Sequence, residues 1–336
     1  MQKIFWCKTC LAMSTRRRIT FNEQGQCSAC QWKLRKESLN WGKREKQLRE
    51  LLDKHRSSRG EFDCIVPVSG GKDGSYVAYN LKNKYGMNPL CVTVTPPLQL
   101  ELGKRNIEKF IESGFSLISI STNPETMRFF NKKGLINIGF PYYGWLTAIQ
   151  TIPPSIAMKF GINLIFYGED GEVEYGGSTE TADNPIYNFK YMKEIYLENQ
   201  SYNSFQLMLD DANQKRLRDL KWFQFPKSGN DENLEITHWS YFENWDPYRN
   251  YLVAKEFCGL QENENVNSGT FTNFAQNDQA LYSLHTYLMF LKYGFGRANQ
   301  DASIEIRRGA LSRDQAINLV RLYDGLFPEQ YLDLYL

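Results

Sequence analysis

The sequence has few histidines, no long apolar run and no nucleotide loop of the kinase type. Only three histidines occur among 336 residues, and no cysteine lies in the setting of a glutaminase nucleophile. No apolar segment approaches the ~20 residues that a membrane-spanning helix needs, and the first residues lack the apolar core of a signal peptide. The pattern G-x-x-x-x-G-K-[ST] does not occur, which excludes a kinase- or GTPase-type phosphate loop. We therefore expect a cytoplasmic protein without a membrane span, whose thiols stay reduced.

Charge is distributed unevenly along the chain. Residues 1–59 contain 15 Lys and Arg against 5 Asp and Glu, whereas the remainder contains 25 against 33. A basic segment can be a footprint for nucleic acid, a solvated surface or a docking face for an acidic partner. Because the net charge is only +2, we favour the latter two and do not expect nucleic acid as the partner.

Two cysteine pairs near the N-terminus have the spacing of a metal site. Cys7 and Cys10 form the first pair, and Cys27 and Cys30 form the second. A C-x2-C pair followed by another after 15–20 residues is typical of a four-thiolate zinc site. Four protein ligands leave no position for water, so we predict a structural Zn²⁺ that stabilises a small knuckle over residues 1–36.

A glycine-rich turn follows the first strongly apolar run of the chain. The run Cys64-Ile65-Val66-Pro67-Val68 leads into Ser69-Gly70-Gly71-Lys72-Asp73-Gly74-Ser75, where a helical pattern begins. A strand, such a turn and a helix N-terminus together form an anion site, because backbone N–H groups and the helix dipole converge there. The order Ser-Gly-Gly-Lys-Asp resembles the pyrophosphate loop of the PP-loop ATP pyrophosphatases. The usual last residue of that loop is serine, whereas this chain has Gly74 with Ser75 next to it.

That resemblance implies a particular use of ATP. Enzymes of the PP-loop family split ATP between the α and β phosphates and transfer AMP to a carbonyl-type oxygen. A nitrogen or sulfur nucleophile then displaces the activated oxygen. The other cysteines, Cys64, Cys91 and Cys258, lie in apolar surroundings. We interpret them as small buried residues, which favours nitrogen over sulfur.

Strand and helix patterns alternate after the turn. Short continuous apolar runs predict buried parallel strands over 63–68, 90–95, 116–121 and 162–167, with helical stretches between them. The pattern predicts an α/β fold with a doubly wound, mainly parallel sheet, and the resemblance to the PP-loop enzymes implies that it is of the adenine-nucleotide α-hydrolase-like type. Ligands bind at the carboxyl ends of the strands in such a sheet, where the glycine-rich turn lies.

An acidic segment follows the last predicted strand. Residues 168–177 read Gly-Glu-Asp-Gly-Glu-Val-Glu-Tyr-Gly-Gly. Carboxylates beside a triphosphate repel it unless Mg²⁺ bridges them or they hold a cationic or amino group. We therefore expect a functional role here, with Glu169 as the first candidate and Glu174 as the second.

The C-terminal half contains a series of short motifs that is specific in its order. The motifs are Trp245-Asp246-Pro247-Tyr248-Arg249-Asn250-Tyr251, Gly269-Thr270-Phe271-Thr272-Asn273-Phe274, Leu284-His285-x-Tyr287-Leu288, Lys292-Tyr293-Gly294-Phe295-Gly296-Arg297, Asp301-Ala302-Ser303-Ile304-Glu305-Ile306-Arg307 and Leu311-Ser312-Arg313-Asp314-Gln315-Ala316. Together with the acidic segment and the knuckle, this series resembles the N-acetyl sugar amidotransferases of surface-polysaccharide and nonulosonic-acid pathways. The resemblance covers nearly the whole chain.

The resemblance implies an ATP-dependent carbon–nitrogen ligase. Such an enzyme converts an acetamido group of an N-acetyl sugar, nucleotide-linked or a nonulosonic acid, into an acetamidino group. The amide oxygen would be adenylated with release of pyrophosphate, and ammonia would then displace AMP. Separate glutaminase and cyclase-like subunits, resembling those of histidine biosynthesis, would supply the ammonia. The implied cofactors are ATP, Mg²⁺ and a structural Zn²⁺.

Physical reasoning assigns roles to residues of this chain within that chemistry. The residues expected to bind ATP are Ser69, Gly70, Gly71, Lys72, Asp73, Gly74 and Ser75. Lys72 would neutralise charge on the departing pyrophosphate, and Asp73 would orient the loop or bind Mg²⁺. Glu169 completes the expected catalytic set. Glu174 and Arg297 are candidates for contact with substrate or phosphate, although Arg297 can equally be a surface residue.

Two other functions and a domain division complete these expectations. The same ATP chemistry occurs in PP-loop enzymes that thiolate or amidate a tRNA base, with the knuckle and the basic segment holding RNA. A nucleotide-binding scaffold without catalysis is the third class. We predict a knuckle over 1–36, an amphipathic linker helix over 37–60, an ATP-binding domain over 61–180, and a mostly helical substrate or partner region over 181–336.

Overall fold

The fold alternates short strands with helices. The computed structural model describes residues 4–168, 171–198, 204–226 and 233–336. The strands within those ranges are β1 (Cys64–Pro67), β2 (Pro89–Val94), β3 (Ser116–Ile120), β4 (Leu164–Tyr167), β5 (Ile186–Tyr187) and β6 (Glu235–His238). The α-helices there are α1 (Ser28–Ser38), α2 (Trp41–His55), α3 (Lys72–Tyr79), α4 (Glu101–Glu112), α5 (Pro124–Ile138), α6 (Tyr143–Phe160), α7 (Gly171–Tyr175), α8 (Phe189–Tyr191), α9 (Ser204–Gln214), α10 (Trp239–Phe242), α11 (Pro247–Cys258), α12 (Ala280–Tyr293), α13 (Arg297–Arg308), α14 (Arg313–Tyr323) and α15 (Leu332–Tyr335).

The strands form one mainly parallel sheet in the order β3-β2-β1-β4-β6-β5. β1 pairs in parallel with β2 on one side and β4 on the other, and β6 continues the parallel arrangement beside β4. Only β5, at the edge, runs antiparallel to its neighbour. The predicted α/β fold and its four strands are therefore confirmed. Because the order of strands reverses at β1, the turn that follows β1 lies where such sheets bind ligands.

Apolar residues of alternating orientation build a core on each face of the sheet. Ile65 and Ile165 point to the face covered by α5, α6 and α9. Val66 and Phe166 point to the opposite face, against α2, α3 and α10. This alternation follows from the two-residue period of a strand, so β1, β2 and β4 are buried on both sides, whereas the edge strand β3 is partly exposed.

Two strands come from the region that the sequence predicted to be mostly helical. β5 and β6 both follow residue 180, where the ATP-binding domain was predicted to end, so the sheet extends beyond that position. The division into domains itself stays a prediction. The linker helix is present as α2, whose first turn is capped by Asn40. None of the helices in the described ranges has the length and apolar character that crossing a membrane requires.

Candidate functional site

The turn between β1 and α3 requires glycine at two positions. Gly70 has a φ of +73°, and a Cβ added to it would lie 2.8 Å from the carbonyl carbon of Asn106 in α4. A Cβ on Gly74 would lie only 2.7 Å from the carbonyl oxygen of Pro67 in β1. The turn is therefore pressed between a strand and a helix, and this close packing excludes a serine at position 74 in the same backbone geometry.

Asp73 is held by the C-terminal half of the chain. Its carboxylate forms an ion pair with Lys72 in the first turn of α3. Nδ2 of Asn250 in α11 donates a hydrogen bond to Oδ1 of Asp73 at 2.9 Å, and Nε1 of Trp245 donates to the same atom at 3.4 Å. Both side chains of the loop pair are largely buried, with 12% of Lys72 and 18% of Asp73 exposed. These contacts hold the Asp73 carboxylate in place, and its role in orienting the loop or binding Mg²⁺ stays a prediction.

Ser75 occupies a different environment from the rest of the turn. Its side chain is buried, and its Oγ has no hydrogen-bond partner within the described residues. Its backbone N–H continues the helix by donating to the carbonyl oxygen of Gly71. Ser75 does not line the cavity described next, so its contribution to phosphate binding stays a prediction.

A cavity of about 230 Å³ opens above the turn and joins distant parts of the chain. The residues that line it are Ser69, Gly70, Gly71, Lys72, Asp73, Gly74, Gly103, Asn106, Trp145, Tyr175, Leu260, Phe274, Ala275, Gln276, Asn277, Asp278, Tyr282 and Arg297. The structure thus brings Arg297, a predicted candidate, to the wall of the same cavity as the Ser-Gly-Gly-Lys-Asp turn.

Arg297 is fixed at that wall by two partners. Its Nε lies 2.8 Å from Oδ1 of Asp301, one turn along α13, and its Nη1 lies 3.3 Å from the hydroxyl of Tyr282. Burial alone would lower the pKa of Arg297, but the Asp301 carboxylate outweighs that effect and the pKa is raised. Thr270 donates to the other oxygen of Asp301 at 2.6 Å. Arg297 is therefore a firmly placed positive charge facing the turn.

The structure describes one of the two acidic candidates, Glu174. Glu169 lies outside the described residues, so its predicted role stays a prediction. The carboxylate of Glu174 is buried between Trp32 and Lys36 of α1, which donate to it at 3.0 Å and 2.9 Å. It joins α7 to the knuckle and does not line the cavity. A contact between Glu174 and the substrate likewise stays a prediction.

The four N-terminal cysteines form the predicted cluster. Their sulfur atoms lie within 4.8 Å of one another and all four residues are buried. Hydrogen bonds with the thiols of Cys27, foremost, and Cys30 lower the pKa of Cys10 to about 6. Backbone N–H groups of Cys10 and Cys27 point at the sulfur of Cys7 at 3.5 Å and 3.2 Å. Four converging thiols with N–H donors around them fit a metal ion held by four thiolates.

The sequence missed several residues that line the cavity. Asp278, Gln276 and Tyr282 come from the segment that leads into α12 and from α12 itself, and Trp145 comes from α6. Their only local signal was the neighbouring Gly269–Phe274 motif, because the approach of this segment to the turn depends on long-range packing.

Comparison with known proteins gives partial matches. Residues 268–336 match the family profile described as the C-terminal domain of WbpG-like LPS biosynthesis proteins. This confirms the resemblance to surface-polysaccharide enzymes over those residues. The uncharacterized protein MJ1599 of Methanocaldococcus jannaschii is 35% identical over 89 residues, which is 26% of this chain and 32% of that protein. The chain thus matches about a third of the length of this curated relative.

Solved structures with a similar course of the chain are more distant. The U34-tRNA thiolase NcsA of Methanococcus maripaludis is 12% identical, with a TM-score of 0.38 and coverage of 86% of this chain and 79% of its own. NMN synthetase of Francisella tularensis is 11% identical, with a TM-score of 0.33 and coverage of 68% and 90%. A predicted tRNA methyltransferase subunit of Methanocaldococcus jannaschii is 14% identical, with a TM-score of 0.29 and coverage of 72% and 90%.

Proposed function

We propose that this protein is an ATP-dependent amidotransferase that converts an acetamido group of an N-acetyl sugar into an acetamidino group. The observation that carries the proposal is the Ser69–Asp73 turn, which lies between a buried parallel strand and a helix N-terminus and shares a cavity with Arg297. The N–H groups at the start of α3 suit a polyphosphate, and Lys72 and Arg297 supply positive charge on two sides of it.

The proposed reaction has two steps. The acetamido oxygen attacks the α-phosphorus of ATP, pyrophosphate leaves, and an adenylated imidate remains. Ammonia then attacks the imidate carbon, and the C–O bond breaks with its electron pair leaving on AMP. Lys72 would stabilise the departing pyrophosphate, and Asp73, held by Asn250 and Trp245, would bind Mg²⁺ or keep the turn in place.

Nitrogen suits this cavity better than sulfur as the nucleophile. No cysteine occurs among the residues that line it in the described part of the chain. Cys64, Cys91 and Cys258 are buried, and burial raises the pKa of each thiol, in the case of Cys258 to about 12. Thiols in such surroundings are poor nucleophiles. A separate glutaminase and its cyclase-like partner would supply the ammonia, and the cysteine cluster would hold a structural Zn²⁺.

Modification of a tRNA base is the second candidate, because the knuckle is basic and contains a four-cysteine site. Part of the positive charge of the knuckle is, however, neutralised by ion pairs within the protein. Arg18 forms a two-point ion pair with Glu172, and Lys36 pairs with Glu174. Binding of tRNA that weakens steeply with added salt, together with base modification, would favour this second function over the first.

Incubation of the purified protein with candidate N-acetyl sugars, ATP, Mg²⁺ and ammonium chloride tests the proposal. Mass spectrometry is expected to show a product lighter by the difference between O and NH, with AMP and pyrophosphate released. Lys72→Ala is expected to lower the rate about 100-fold or more, whereas Lys46→Ala, at an exposed position on α2, leaves it unchanged. Full activity of Lys72→Ala would show that the turn does not perform this chemistry.

A further inference from the structure

The segment before α12, residues 276–279, packs closely against the start of α4. The backbone N–H of Leu100 donates to the carbonyl oxygen of Asp278 at 2.9 Å, and that of Ala280 donates to Leu98 at 3.0 Å. Gly103 in α4 allows this approach, since a Cβ there would lie 2.6 Å from the Cα of Asp278. These backbone contacts fix Asp278 at the cavity wall formed by the start of α4.

An asparagine cluster holds the same segment from behind. Nδ2 of Asn263 and Nδ2 of Asn267 both donate to Oδ1 of Asn277 at 3.0 Å. Nδ2 of Asn277 in turn donates to the carbonyl oxygen of Asn273 at 3.1 Å. Asn267 and Asn277 are buried. Interlocked buried amides of this kind are rigid, so the residues between them are held in one conformation.

Two polar residues of the segment lack side-chain partners among the described residues. The backbone of Gln276 has a φ of +65°, which is uncommon for a residue other than glycine. The nitrogen and oxygen of its side-chain amide are both buried without a hydrogen bond to the described residues. The carboxylate of Asp278 accepts hydrogen bonds from backbone N–H groups, its own and that of Gln279, but has no ion pair and no side-chain donor among the described residues. A strained backbone, an unpaired buried amide and a carboxylate without a counter-ion that persist beside a cavity indicate a functional site.

The surroundings of Asp278 suit a small cation. The rings of Trp145, Tyr175 and Tyr282 line the same cavity, and aromatic faces attract cations. The other charged groups facing the cavity are Lys72 and Asp73, which pair with each other, and Arg297, which is bound to Asp301. Among the described residues that line the cavity, Asp278 is therefore the carboxylate that a small cationic ligand can reach without breaking an ion pair.

We propose that Asp278 receives the nitrogen donor of the proposed reaction: its carboxylate binds ammonium and accepts a proton from it. The N–H bond breaks, the proton passes to the carboxylate oxygen, and the released lone pair of ammonia forms the new bond to the imidate carbon. The C–O bond then breaks towards AMP, and the added nitrogen releases a second proton to solvent to give the amidinium product. Burial supports this assignment, because it raises the pKa of Asp278 to about 6, which suits a base working near neutral pH.

This inference rests on the proposed function, and separating the two half-reactions tests it. Exchange of radiolabelled pyrophosphate into ATP reports adenylation, whereas amidine formation with ammonium chloride reports amination. The acceptor is the one that the wild-type protein converts among UDP-N-acetylglucosamine and nonulosonic acids. Asp278→Asn is expected to retain acceptor-dependent exchange but to form amidine at least about 100-fold more slowly. It should continue to release AMP, because water then hydrolyses the adenylated imidate.

Each other outcome has a distinct meaning. If the wild-type protein shows no acceptor-dependent exchange, the proposed function fails and this inference with it. If Asp278→Asn loses exchange together with amination, its carboxylate serves ATP or Mg²⁺, and the assignment to ammonium is wrong. Amidine formation by Asp278→Asn at the wild-type rate overturns it as well. Asp53→Asn, at a largely exposed position on α2, is the matched control and should leave both half-reactions unchanged.

Discussion

Asp278 is expected to lower the stability of the protein at neutral pH. Burial raises its pKa from an ordinary 3.8 to about 6, because the cavity wall disfavours the charged carboxylate. In the folded protein the group therefore holds a proton over a pH range in which the unfolded chain has already lost it. A rise of about two units corresponds to roughly 3 kcal/mol, which is an upper estimate for the effect.

The sign of this effect follows from proton linkage. A carboxyl whose pKa is raised by folding contributes its full stability below its pKa in the unfolded chain, about 4. This contribution is lost as the pH rises through its pKa in the folded protein, about 6. The amide that replaces the carboxyl in Asp278→Asn does not titrate. This variant is therefore expected to match the wild type near pH 4 and to be more stable by about 1–3 kcal/mol at pH 7 and above.

Thermal and urea unfolding across pH 4 to 8 provide the measurement. The informative quantity is the difference in unfolding free energy between Asp278→Asn and wild type as a function of pH. Asp53→Asn is the control, since 73% of the Asp53 side chain is exposed, and its difference should stay flat. A difference for Asp278→Asn that does not change between pH 4 and pH 8 would show that folding does not raise the pKa of Asp278.

Three further predictions concern the turn and the knuckle. Gly74→Ala should lower the free energy of unfolding by about 1–3 kcal/mol, because the added Cβ would lie 2.7 Å from the carbonyl oxygen of Pro67 in β1. Gly42→Ala is the control in thermal unfolding, since its Cβ would meet nothing closer than 3.4 Å. An unchanged Tm for Gly74→Ala would contradict this geometry. Glu174→Ala should lower the free energy of unfolding by about 3–5 kcal/mol, because it leaves the largely buried Lys36 without its ion-pair partner. Glu37→Ala removes an exposed ion pair and should lower it by less than about 1 kcal/mol in the same assay. Equal losses for the two variants would show that the Lys36–Glu174 pair behaves as an exposed one. Cys10→Ser should lose bound zinc in metal analysis of the purified protein, and full retention would exclude it as a ligand.

The central strands β1, β2 and β4 were predictable because burial on both faces of the sheet leaves a continuous apolar run in the sequence. Leu164–Tyr167 and Pro89–Val94 have that pattern and occur where it predicts them. β6 was missed because its four residues begin with Glu235 and end with His238, and these polar residues leave no continuous apolar run to identify a strand. Glu235 pairs with Lys54 and His55 of α2, a contact between segments far apart in the chain that no local pattern contains.

The parts of the candidate site that have a local sequence signature could be predicted from the sequence. The parts that only long-range packing brings together could not. The turn at 69–75 carries its own signature, because glycines and a helix start are needed for close approach to phosphate. Asp278 carries none: an aspartate in an asparagine-rich segment is typical of a solvated loop. It reaches the cavity only because the backbone of that segment bonds to Leu98 and Leu100.

The uneven charge noted in the sequence has a structural consequence at the cavity. The basic N-terminal segment docks on the chain's own acidic turn, where Arg18 binds Glu172 and the guanidinium of Arg16 lies 5.4 Å from the ring centre of Tyr175. Tyr175 lines the cavity above the Ser-Gly-Gly-Lys-Asp turn. The knuckle therefore supports one wall of the cavity, although its cysteines lie outside it. Because four-thiolate knuckles of this size depend on metal for their folding, a metal ion held by the four cysteines is expected to stabilise the position of Tyr175 and thereby the shape of the cavity.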